Sequence, residues 1–309
     1  MPTINKALVK AGFSNIKSIV TTFDNGGDSG RIRTDERGNV LAYSDYWRSL
    51  ISLWKDGKQK NIWEEMLRYR DGKGRNFGNT FFMFMAEKCK DLSKVDSLFS
   101  SLVKANLKGE VIPVSLKPSN IKFKTKSNKV YLGEKYLDDL RMSCDQIKKI
   151  WLEPKVKANI EAINVLKTSD FIIICPGSIY GSILSNFLPT GTINAFNQTK
   201  AKKILITNLV SMANEASELN IDEYINIFNK YLGKKDHFDL IIAPDFSKIP
   251  KPLLHKIIDN YSLEHSALFN FKNQNKKIQK HNIVSVDKTN MRLRHSEDKL
   301  AKLFKKLLR

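Results

Sequence analysis

The chain has 309 residues, of which 41% are apolar and 10% aromatic, which is enough for a large core and excludes a mainly disordered protein. Its 52 Lys and Arg residues exceed its 32 Asp and Glu residues by 20, but 41 of the 52 are Lys and only 11 are Arg. Because Arg is the preferred side chain for phosphates and base edges, a nucleic-acid-binding protein is disfavoured, and the Lys residues are interpreted as solvated surface charge.

Neither a membrane protein nor a secreted protein is indicated. No run of about 18 apolar residues occurs, and the start MPTINKALVKAG lacks the order of a signal peptide. The three cysteines, Cys89, Cys144 and Cys175, are far apart and form no CxxC pair, so neither a disulfide framework nor a zinc site is suggested. We expect a soluble cytoplasmic protein without membrane insertion.

The first half of the chain predicts an initial helix, a strand, a group of helices, a second strand and an antiparallel hairpin. The start MPTINKALVKAG is the initial helix, and alternating or periodic apolar residues give the elements that follow. The predicted bounds are 16–23 for the first strand, 45–54, 79–88 and 95–105 for helices, 110–115 for the second strand, 121–125 and 129–132 for the hairpin, and 147–152 for a further strand.

The second half alternates helices and strands. The segment DFIIIC at 170–175 follows a predicted helix at 157–167 and is typical of a strand buried on both faces of a parallel sheet. Further strands are predicted at 203–207, 238–242 and 282–286, with helices at 222–231, 252–260 and 296–308. This order predicts a three-layer, Rossmann-like doubly wound α/β sheet in one domain, 1–309, with an inserted antiparallel lobe near 108–152.

The first candidate site is the loop DNGGDSGR at 24–31, called here the first loop, because it follows a predicted strand and ligands bind at the carboxyl ends of such strands. Asp24 is a candidate for holding a metal ion or a sugar hydroxyl, Ser29 adds a hydroxyl, and Arg31 is suited to a phosphate. The glycines that allow a ligand to approach the backbone are Gly26, Gly27 and Gly30. The alternative is an ordinary Gly-rich turn.

The second candidate site is PGSIYGS at 176–182, called here the second loop, which follows the strand 170–175 and opens a helix predicted to run to about 187. Gly177 allows close approach, and Ser178 is suited to cap the helix and leave N–H groups facing a pyrophosphate. The alternative is a plain strand-to-helix turn. A further Gly-containing segment at 72–79 precedes a helix, and Asp45 begins another, where it is either a site residue or a simple N-terminal charge.

Several of these segments together resemble one family. DNGGDSGR is similar to a DDGGSSGR loop, GRNFGN at 74–79 to GHSLGN through Gly78 and Asn79, and ICPGSIYGSILSNFLPTG at 174–191 to GPGSLYTSILPNLL. Asn208 lies in a strand-end TNL, and LRHSEDKLA at 293–301 resembles RHDPxKLA. In this order and spacing the chain, over roughly residues 1 to 300, resembles the CofD-like proteins, and within them the YvcK branch, also called gluconeogenesis factor.

The resemblance implies a strand-end cleft that binds a nucleotide diphosphate. In the YvcK branch it implies a UDP-sugar such as UDP-N-acetylglucosamine and a role in regulating cell-envelope synthesis and carbon metabolism. The alternative is a 2-phospho-L-lactate transferase with a GDP-linked phospholactyl donor, a deazaflavin acceptor and Mg²⁺. We also expect a homo-oligomer.

The resemblance also assigns residues. Asp24 and Asp45 are the catalytic candidates, and Asp24 is the Mg²⁺ ligand if the reaction needs the metal. The second loop is the diphosphate cradle, and Asn208 contacts base or ribose. The full expected ligand-binding set is Asn25, Gly26, Gly27, Ser29, Gly30, Arg31, Gly78, Asn79, Pro176, Gly177, Ser178, Tyr180, Ser182, Asn208, Tyr261 and Arg294.

Two departures from the family pattern are expected to matter. Asn25 stands where the family has a carboxylate, and an amide is a poorer Mg²⁺ ligand, so metal-dependent transfer is disfavoured. The family also begins with a strand and a GGTG-type loop, whereas this chain begins at the first helix. We expect either a true start upstream of Met1 or a degenerate member, and the poor packing of a sheet without a central strand favours the first.

Overall fold

The structure is a computed structural model that describes residues 1–36, 40–140, 143, 145–212, 214–215, 220–233, 236–264, 266–270 and 276–308. Cys144 therefore lies outside the described residues, whereas Cys89 and Cys175 are free thiols. No helix in the described residues is both long enough and apolar enough to cross a membrane.

The helices follow the predicted order, and the described residues contain four more that were not predicted, at 27–30, 58–68, 135–139 and 192–198. They are α1 Pro2–Ala11, α2 Gly27–Gly30, α3 Ser44–Leu53, α4 Lys58–Arg68, α5 Phe77–Cys89, α6 Val95–Val103, α7 Lys135–Asp139, α8 Ile160–Thr168, α9 Thr192–Gln198, α10 Ile221–Leu232, α11 Lys251–Ser262 and α12 Glu297–Leu307. The strands are β1 Ile16–Val20, β2 Gly109–Pro113, β3 Asn120–Thr125, β4 Val130–Leu132, β5 Ile147–Glu153, β6 Phe171–Ile174, β7 Lys202–Ile206, β8 Val210–Met212, β9 Leu240–Pro244, β10 Ser266–Leu268, β11 Ile278–His281, β12 Val284–Asp287 and β13 Arg292–His295.

A parallel sheet of order β11-β9-β7-β6 forms the middle layer, and β1 pairs in parallel with β2 as a separate two-stranded sheet. Side chains of β7 alternate between two cores: Ile204 and Ile206 pack with α1, α3 and α12, whereas Leu205 packs with α9 and α10. Helices thus cover both faces of the sheet, and the predicted three-layer, Rossmann-like α/β fold is confirmed.

An antiparallel lobe stands apart from the parallel strands. Its order is β4-β3-β5, with Phe123 opposite Tyr131 on one side and Ile150 on the other. The inward side chains of β3, Ile121 and Phe123, are fully buried. The lobe lies where the alternation in 121–152 predicted it, and α7 connects its second and third strands.

Three sequence predictions were wrong in detail. The strand predicted to be buried on both faces, β6, is half-exposed along its length because it lies at the edge of the four-stranded sheet. The segment 282–286 does not join the parallel sheet, since β12 pairs antiparallel with β13 and the edge position is taken by β11. The helix predicted after the second loop is a π-helical turn, Ile179–Ile183, followed by a 3₁₀ turn, Leu184–Phe187.

Candidate functional site

A cleft of about 540 Å³ separates β1 from β6 and is called here the interstrand cleft. Its sides are the two strands, which line it over their whole length, and at their carboxyl ends it is lined by Thr21, Asp45, Pro176 and Gly177. The first residues of α1, Met1 and Pro2, also line it. This opening is where an α/β sheet of this type binds ligands.

Asp24 is a fixed carboxylate at the start of the first loop. Its Oδ1 accepts from the backbone N–H of Gly26 at 2.8 Å and its Oδ2 from the hydroxyl of Ser44 at 2.7 Å. The buried Arg33 donates to the backbone oxygens of Phe23 and Asp24, both at 2.9 Å, and to Ser119 O at 2.6 Å. Burial lowers the pKa of Arg33, and the charge of Asp24 opposes this.

The polar residues later in the first loop bind each other and the helical layer. Asp28 accepts from Arg31 Nε at 3.1 Å and from its terminal nitrogen at 2.7 Å, and it accepts from Asn79 Nδ2 at 2.8 Å. Asn79 in turn accepts from Trp47 Nε1 at 2.9 Å. Both residues were predicted as ligand contacts. Arg31 instead binds Asp28 within the first loop, and Asn79 on α5 connects that loop to Trp47 on α3.

Two of the predicted ligand-binding glycines are needed for packing. A Cβ atom placed on Gly30 would lie 2.1 Å from the backbone oxygen of Asn25, and one on Gly78 would lie 2.7 Å from Leu67 O and 2.8 Å from the Trp47 ring. Asn25 itself is buried and accepts from the backbone N–H of Lys135 at 2.9 Å. Its amide thus holds the lobe, which explains why a carboxylate is not required there. Ser29 is buried as well, whereas Gly27 is exposed.

The second loop is held by Asn208, which follows β7. Asn208 Oδ1 accepts a hydrogen bond from Gly177 N–H at 2.9 Å, and Asn208 Nδ2 donates one to Gly177 O at 2.8 Å. One side chain therefore binds the peptide groups on both sides of that glycine. A Cβ atom on Gly177 would make ordinary van der Waals contacts, with Ser182 Cβ at 3.4 Å and with Ser182 Oγ and Ile183 Cγ1 at 3.9 Å. Gly177 is therefore open towards the cleft, and Pro176 and Ser182 line the cleft beside it.

A buried carboxylate occupies the N-terminus of the π-helical turn. Glu215 Oε1 accepts from the Ser178 hydroxyl at 2.7 Å and from Ile179 N–H at 3.2 Å, and Ser178 Oγ accepts from Gly181 N–H at 3.1 Å. Burial raises the pKa of Glu215, while these donors lower it. The N–H groups predicted to face a pyrophosphate here are already bound within the protein.

Glu134, which follows β4 in the lobe, joins the two loops. Glu134 forms a hydrogen bond with Asp24 of the first loop. Its carboxyl group also lies close to a glycine of each loop: a Cβ atom placed on Gly181 would be 2.8 Å from Glu134 Oε1, and one placed on Gly26 would be 3.5 Å from Glu134 Oε2. Burial, together with the charge of Asp24, raises the pKa of Glu134 to about 9. At neutral pH it is therefore a protonated acid that donates to Asp24.

Asp45 faces the same opening from the first turn of α3 and lines the cleft. Burial and the charge of Asp24 raise its pKa to about 6, against the opposing charge of Arg48. A pKa near neutral pH suits a general base.

The donor set does not fit a resident Mg²⁺ ion. Both oxygens of Asp24 accept hydrogen bonds, Glu134 carries a proton, and the Asn25 amide points to the lobe. Across the part of the chain that the structure describes, no three His, Cys, Asp or Glu side chains are placed to hold a metal ion.

Three further predicted residues lie away from the lining of the cleft. Tyr180 is buried, and burial raises its pKa; its hydroxyl donates to Ile147 O at 3.4 Å. Tyr261 is buried between α11 and β13, where its hydroxyl accepts from Leu293 N–H at 2.9 Å. Arg294 is exposed on β13.

Sequence reasoning missed Arg33, Glu134 and the part played by Glu215. Arg33 and Glu134 stand outside the Gly-rich motifs, and each acts on residues that are distant in sequence, such as Ser119 and Asp24. The sole local signal was the Asn-Glu pair at 214–215, which follows the strand-end residue Asn208.

Comparison with known proteins identifies the family of the chain. The sequence profile of the family described as 2-phospho-L-lactate transferase CofD matches residues 1–292. A relative from Clostridium acetobutylicum that bears the name gluconeogenesis factor is 30% identical over 228 residues, which are 72% of this chain and 49% of that protein. The gluconeogenesis factor of Listeria monocytogenes is 28% identical over 86% of this chain and 80% of its own length.

The fold has a solved counterpart. A crystal structure of a UPF0052 family member from Bacillus halodurans superimposes with a TM-score of 0.83 at 22% identity, covering 98% of this chain and 96% of that one. This chain spans about half the length of the Clostridium acetobutylicum relative. From the profile match and these relatives, the chain belongs to the CofD family and is similar to its gluconeogenesis factors.

Proposed function

We propose that this protein is a cytoplasmic regulator that binds a nucleotide sugar, of the UDP-sugar class, at the opening of the interstrand cleft. One observation carries the proposal: Asp45, in the first turn of α3, and Gly177, which follows β6, line the same cleft. A carboxylate accepts hydrogen bonds from sugar or ribose hydroxyls, and an uncrowded glycine admits a diphosphate close to the backbone. The similarity to gluconeogenesis factors is the reason for proposing a regulator, and the UDP-sugar is what the family resemblance implied.

The charges at the opening suit such a ligand. Glu134 is neutral at pH 7, so of the three neighbouring carboxyl groups only Asp24 and Asp45 add negative charge, and of these two Asp45 lines the cleft. Both carboxylate oxygens of Asp24 already accept hydrogen bonds, one from Gly26 N–H and one from the Ser44 hydroxyl. We therefore assign the binding of ligand hydroxyl groups to Asp45. The positive end of the α1 dipole, at Met1 and Pro2, lies at the same opening and favours the diphosphate.

Ligand titration with a thermal-shift readout tests this proposal. UDP-N-acetylglucosamine is expected to raise the melting temperature, with no requirement for Mg²⁺, whereas GDP is expected to have no effect. A shift with GDP and Mg²⁺ but not with the UDP-sugar would contradict it.

Gly177→Asp is the matching variant, and Gly177→Asn is its neutral control of the same shape. Both side chains fit, because the nearest atom to a Cβ on Gly177 is Ser182 Cβ at 3.4 Å. The added carboxylate is expected to weaken nucleotide affinity at least about tenfold beyond the effect of Asn, since it repels the diphosphate. Equal affinities for the two variants would place the diphosphate elsewhere.

The alternative is a 2-phospho-L-lactate transferase, as the family description states, with Asp45 as a general base whose pKa of about 6 suits that role. It predicts Mg²⁺-dependent turnover of a phospholactyl nucleotide with a deazaflavin acceptor. Loss of turnover in Asp45→Asn with unchanged nucleotide binding would favour the transferase over the regulator. The single domain and the homo-oligomer expected from sequence stay part of the proposal.

A further inference from the structure

The outward face of α4 and α5 is apolar. Of the eleven large apolar side chains exposed in the described residues, five lie on α4, at its C-cap or on α5: Ile62, Met66, Tyr69, Phe77 and Phe84. The spacing of three, four or seven residues puts each set along one side of its helix. Ile62 and Phe84 are each 59% exposed. Single exposed apolar side chains are common, but a contiguous group of them marks an interaction surface.

The two apolar stripes border one groove, called here the α4–α5 groove. The helices run antiparallel, because Tyr69 O accepts from Phe77 N–H at 3.0 Å across the connecting loop and the rings of Trp63 and Phe81, farther from that loop, lie 5.8 Å apart. Trp63 and Phe81 are half-buried and form the floor of the groove. Because helix backbone groups bond within their own helix, the groove offers apolar contacts and no strand edge.

Basic side chains stand at both ends of the α4–α5 groove. Arg70, Lys73 and Arg75 are exposed on the loop that joins the two helices. At the other end, Lys58 begins α4 and Lys88 lies in the last turn of α5, and both are exposed. Lys58, Lys73 and Lys88 form no ion pair within the described part of the chain. A surface complementary to this groove is therefore apolar along its middle and acidic at both ends.

The charges and the chain lengths decide among the occupants. In a two-fold dimer the groove would face itself, and basic ends would meet whichever way the helices run. A helix as long as the groove has about 12 residues, since α4 has 11 and α5 has 13, whereas the longest stretch of this chain between described ranges is the five residues 271–275. Exposed Glu65 and Glu87 on the same helices disfavour an anionic membrane.

We propose that the α4–α5 groove binds one amphipathic α-helix of a partner protein, about three turns long, with its apolar face in the groove and acidic residues near both of its ends. This inference goes beyond the proposed function and does not depend on nucleotide binding. The bound helix would lie on α5, which also carries Asn79, the residue that donates to Asp28 of the first loop at 2.8 Å. The partner would thus contact a helix that supports the candidate site.

The test uses a fluorescently labelled peptide, Glu-Asp-Ile-Ala-Gln-Leu-Leu-Gln-Gln-Ile-Ala-Gln-Leu-Glu-Asp-amide, and the anisotropy change on adding the full chain. The control peptide has the same composition and acidic ends, but its five large apolar residues occupy alternate positions, which spreads them around the helix. The first peptide is expected to bind about tenfold more tightly or better. Equal affinities would mean that charge alone attracts the peptide and would overturn the proposal, as would binding of neither.

A pair of variants places the binding on the groove. Phe84→Glu adds one negative charge within the groove, and Leu263→Glu adds the same charge at a residue that is 78% exposed at the end of α11. Both side chains are exposed, so both variants are expected to keep the melting temperature of the parent. Peptide affinity is expected to fall about tenfold or more in Phe84→Glu and to stay unchanged in Leu263→Glu. Equal affinities in the two variants would overturn the proposal.

Two further measurements distinguish the other occupants. Sedimentation with phosphatidylserine vesicles and analytical ultracentrifugation of the chain alone are expected to give the same results for the parent protein and Phe84→Glu. Vesicle binding that Phe84→Glu abolishes would show that the groove meets a membrane, and a dimer that Phe84→Glu dissociates would show that a second copy covers it. Either result would overturn the assignment to a partner helix.

Discussion

The two Gly-rich loops resemble each other in sequence but are held in opposite ways. The first loop is held by Asp28, which accepts from Asn79 on α5, and by Arg33 just after the loop, which donates to Ser119 O between β2 and β3. The second loop is held from outside, by Asn208 on Gly177 and by Glu215 on the residues that follow. The first loop is thus built into the core, whereas the second depends on two side chains from a neighbouring segment.

This difference separates packing from binding among the motif residues. In the first loop, Gly30, Asn25 and Arg31 are engaged within the protein. In the second, Gly177 remains open to the cleft. Substitutions in the first loop should therefore mainly lower the free energy of unfolding, and substitutions in the second loop should mainly weaken ligand binding.

Replacement of Arg33 should give the largest effect on stability. Arg33→Met leaves Phe23, Asp24 and Ser119 without their buried donor and is expected to lower the free energy of unfolding by about 3–5 kcal/mol. Urea unfolding measures this, with Arg68→Met as the control, because the Arg68 side chain is 57% exposed and pairs only with Glu64 on its own helix. Similar losses in both variants would mean that the first loop is not built into the core.

Gly30→Ala should give the second-largest loss of stability. Its Cβ would lie 2.1 Å from Asn25 O, a backbone atom that cannot move without disturbing the contact of Asn25 with the lobe, so we expect a loss of about 3 kcal/mol. Gly72→Ala is the control, because nothing lies within 4 Å of its Cβ position. Thermal unfolding of the two variants gives the comparison, and an unchanged melting temperature for Gly30→Ala would contradict the packing role.

Glu134→Gln should change the pH dependence of stability. Glu134 has a pKa of about 9 in the folded protein and an ordinary value of 4.5, so the folded state holds an additional proton between these values and stability falls as pH rises through this range. The variant lacks this slope and is expected to be more stable than the parent by about 2 kcal/mol at pH 9, with little difference below pH 5. Parallel pH profiles of urea unfolding for the two proteins would contradict this. Glu153→Gln, at an exposed site on β5, is the control.

Asn208→Ala should have the smallest effect on stability and the clearest effect on binding. It removes two hydrogen bonds to Gly177 and is expected to lower the free energy of unfolding by about 1 kcal/mol, while nucleotide affinity falls more than stability because Gly177 is no longer held. Calorimetric titration with the UDP-sugar measures the nucleotide affinity. Asn290→Ala, on the β12-β13 turn, is the control variant. Full affinity in Asn208→Ala would show that the second loop keeps its shape unaided.

Local patterns predicted the order of elements well, because helix periodicity and strand alternation depend on neighbouring residues. They also placed both loops at strand ends. They failed for β12, whose partner β13 is antiparallel, and for the half-exposed β6, because pairing partners and edge positions are set by the whole sheet. They missed Glu134 for the same reason: its role comes from Asp24, far away in sequence and brought close by the lobe.

The contact of Asn25 with Lys135 spans 110 residues, and that of Arg33 with Ser119 spans 86. Contacts of such sequence separation close large loops, and the entropy of closing them slows their formation. We therefore expect the first loop and the lobe to join late in folding. During refolding, ligand binding is therefore expected to recover when the lobe contacts the first loop, which is later than the recovery of the helical circular dichroism signal.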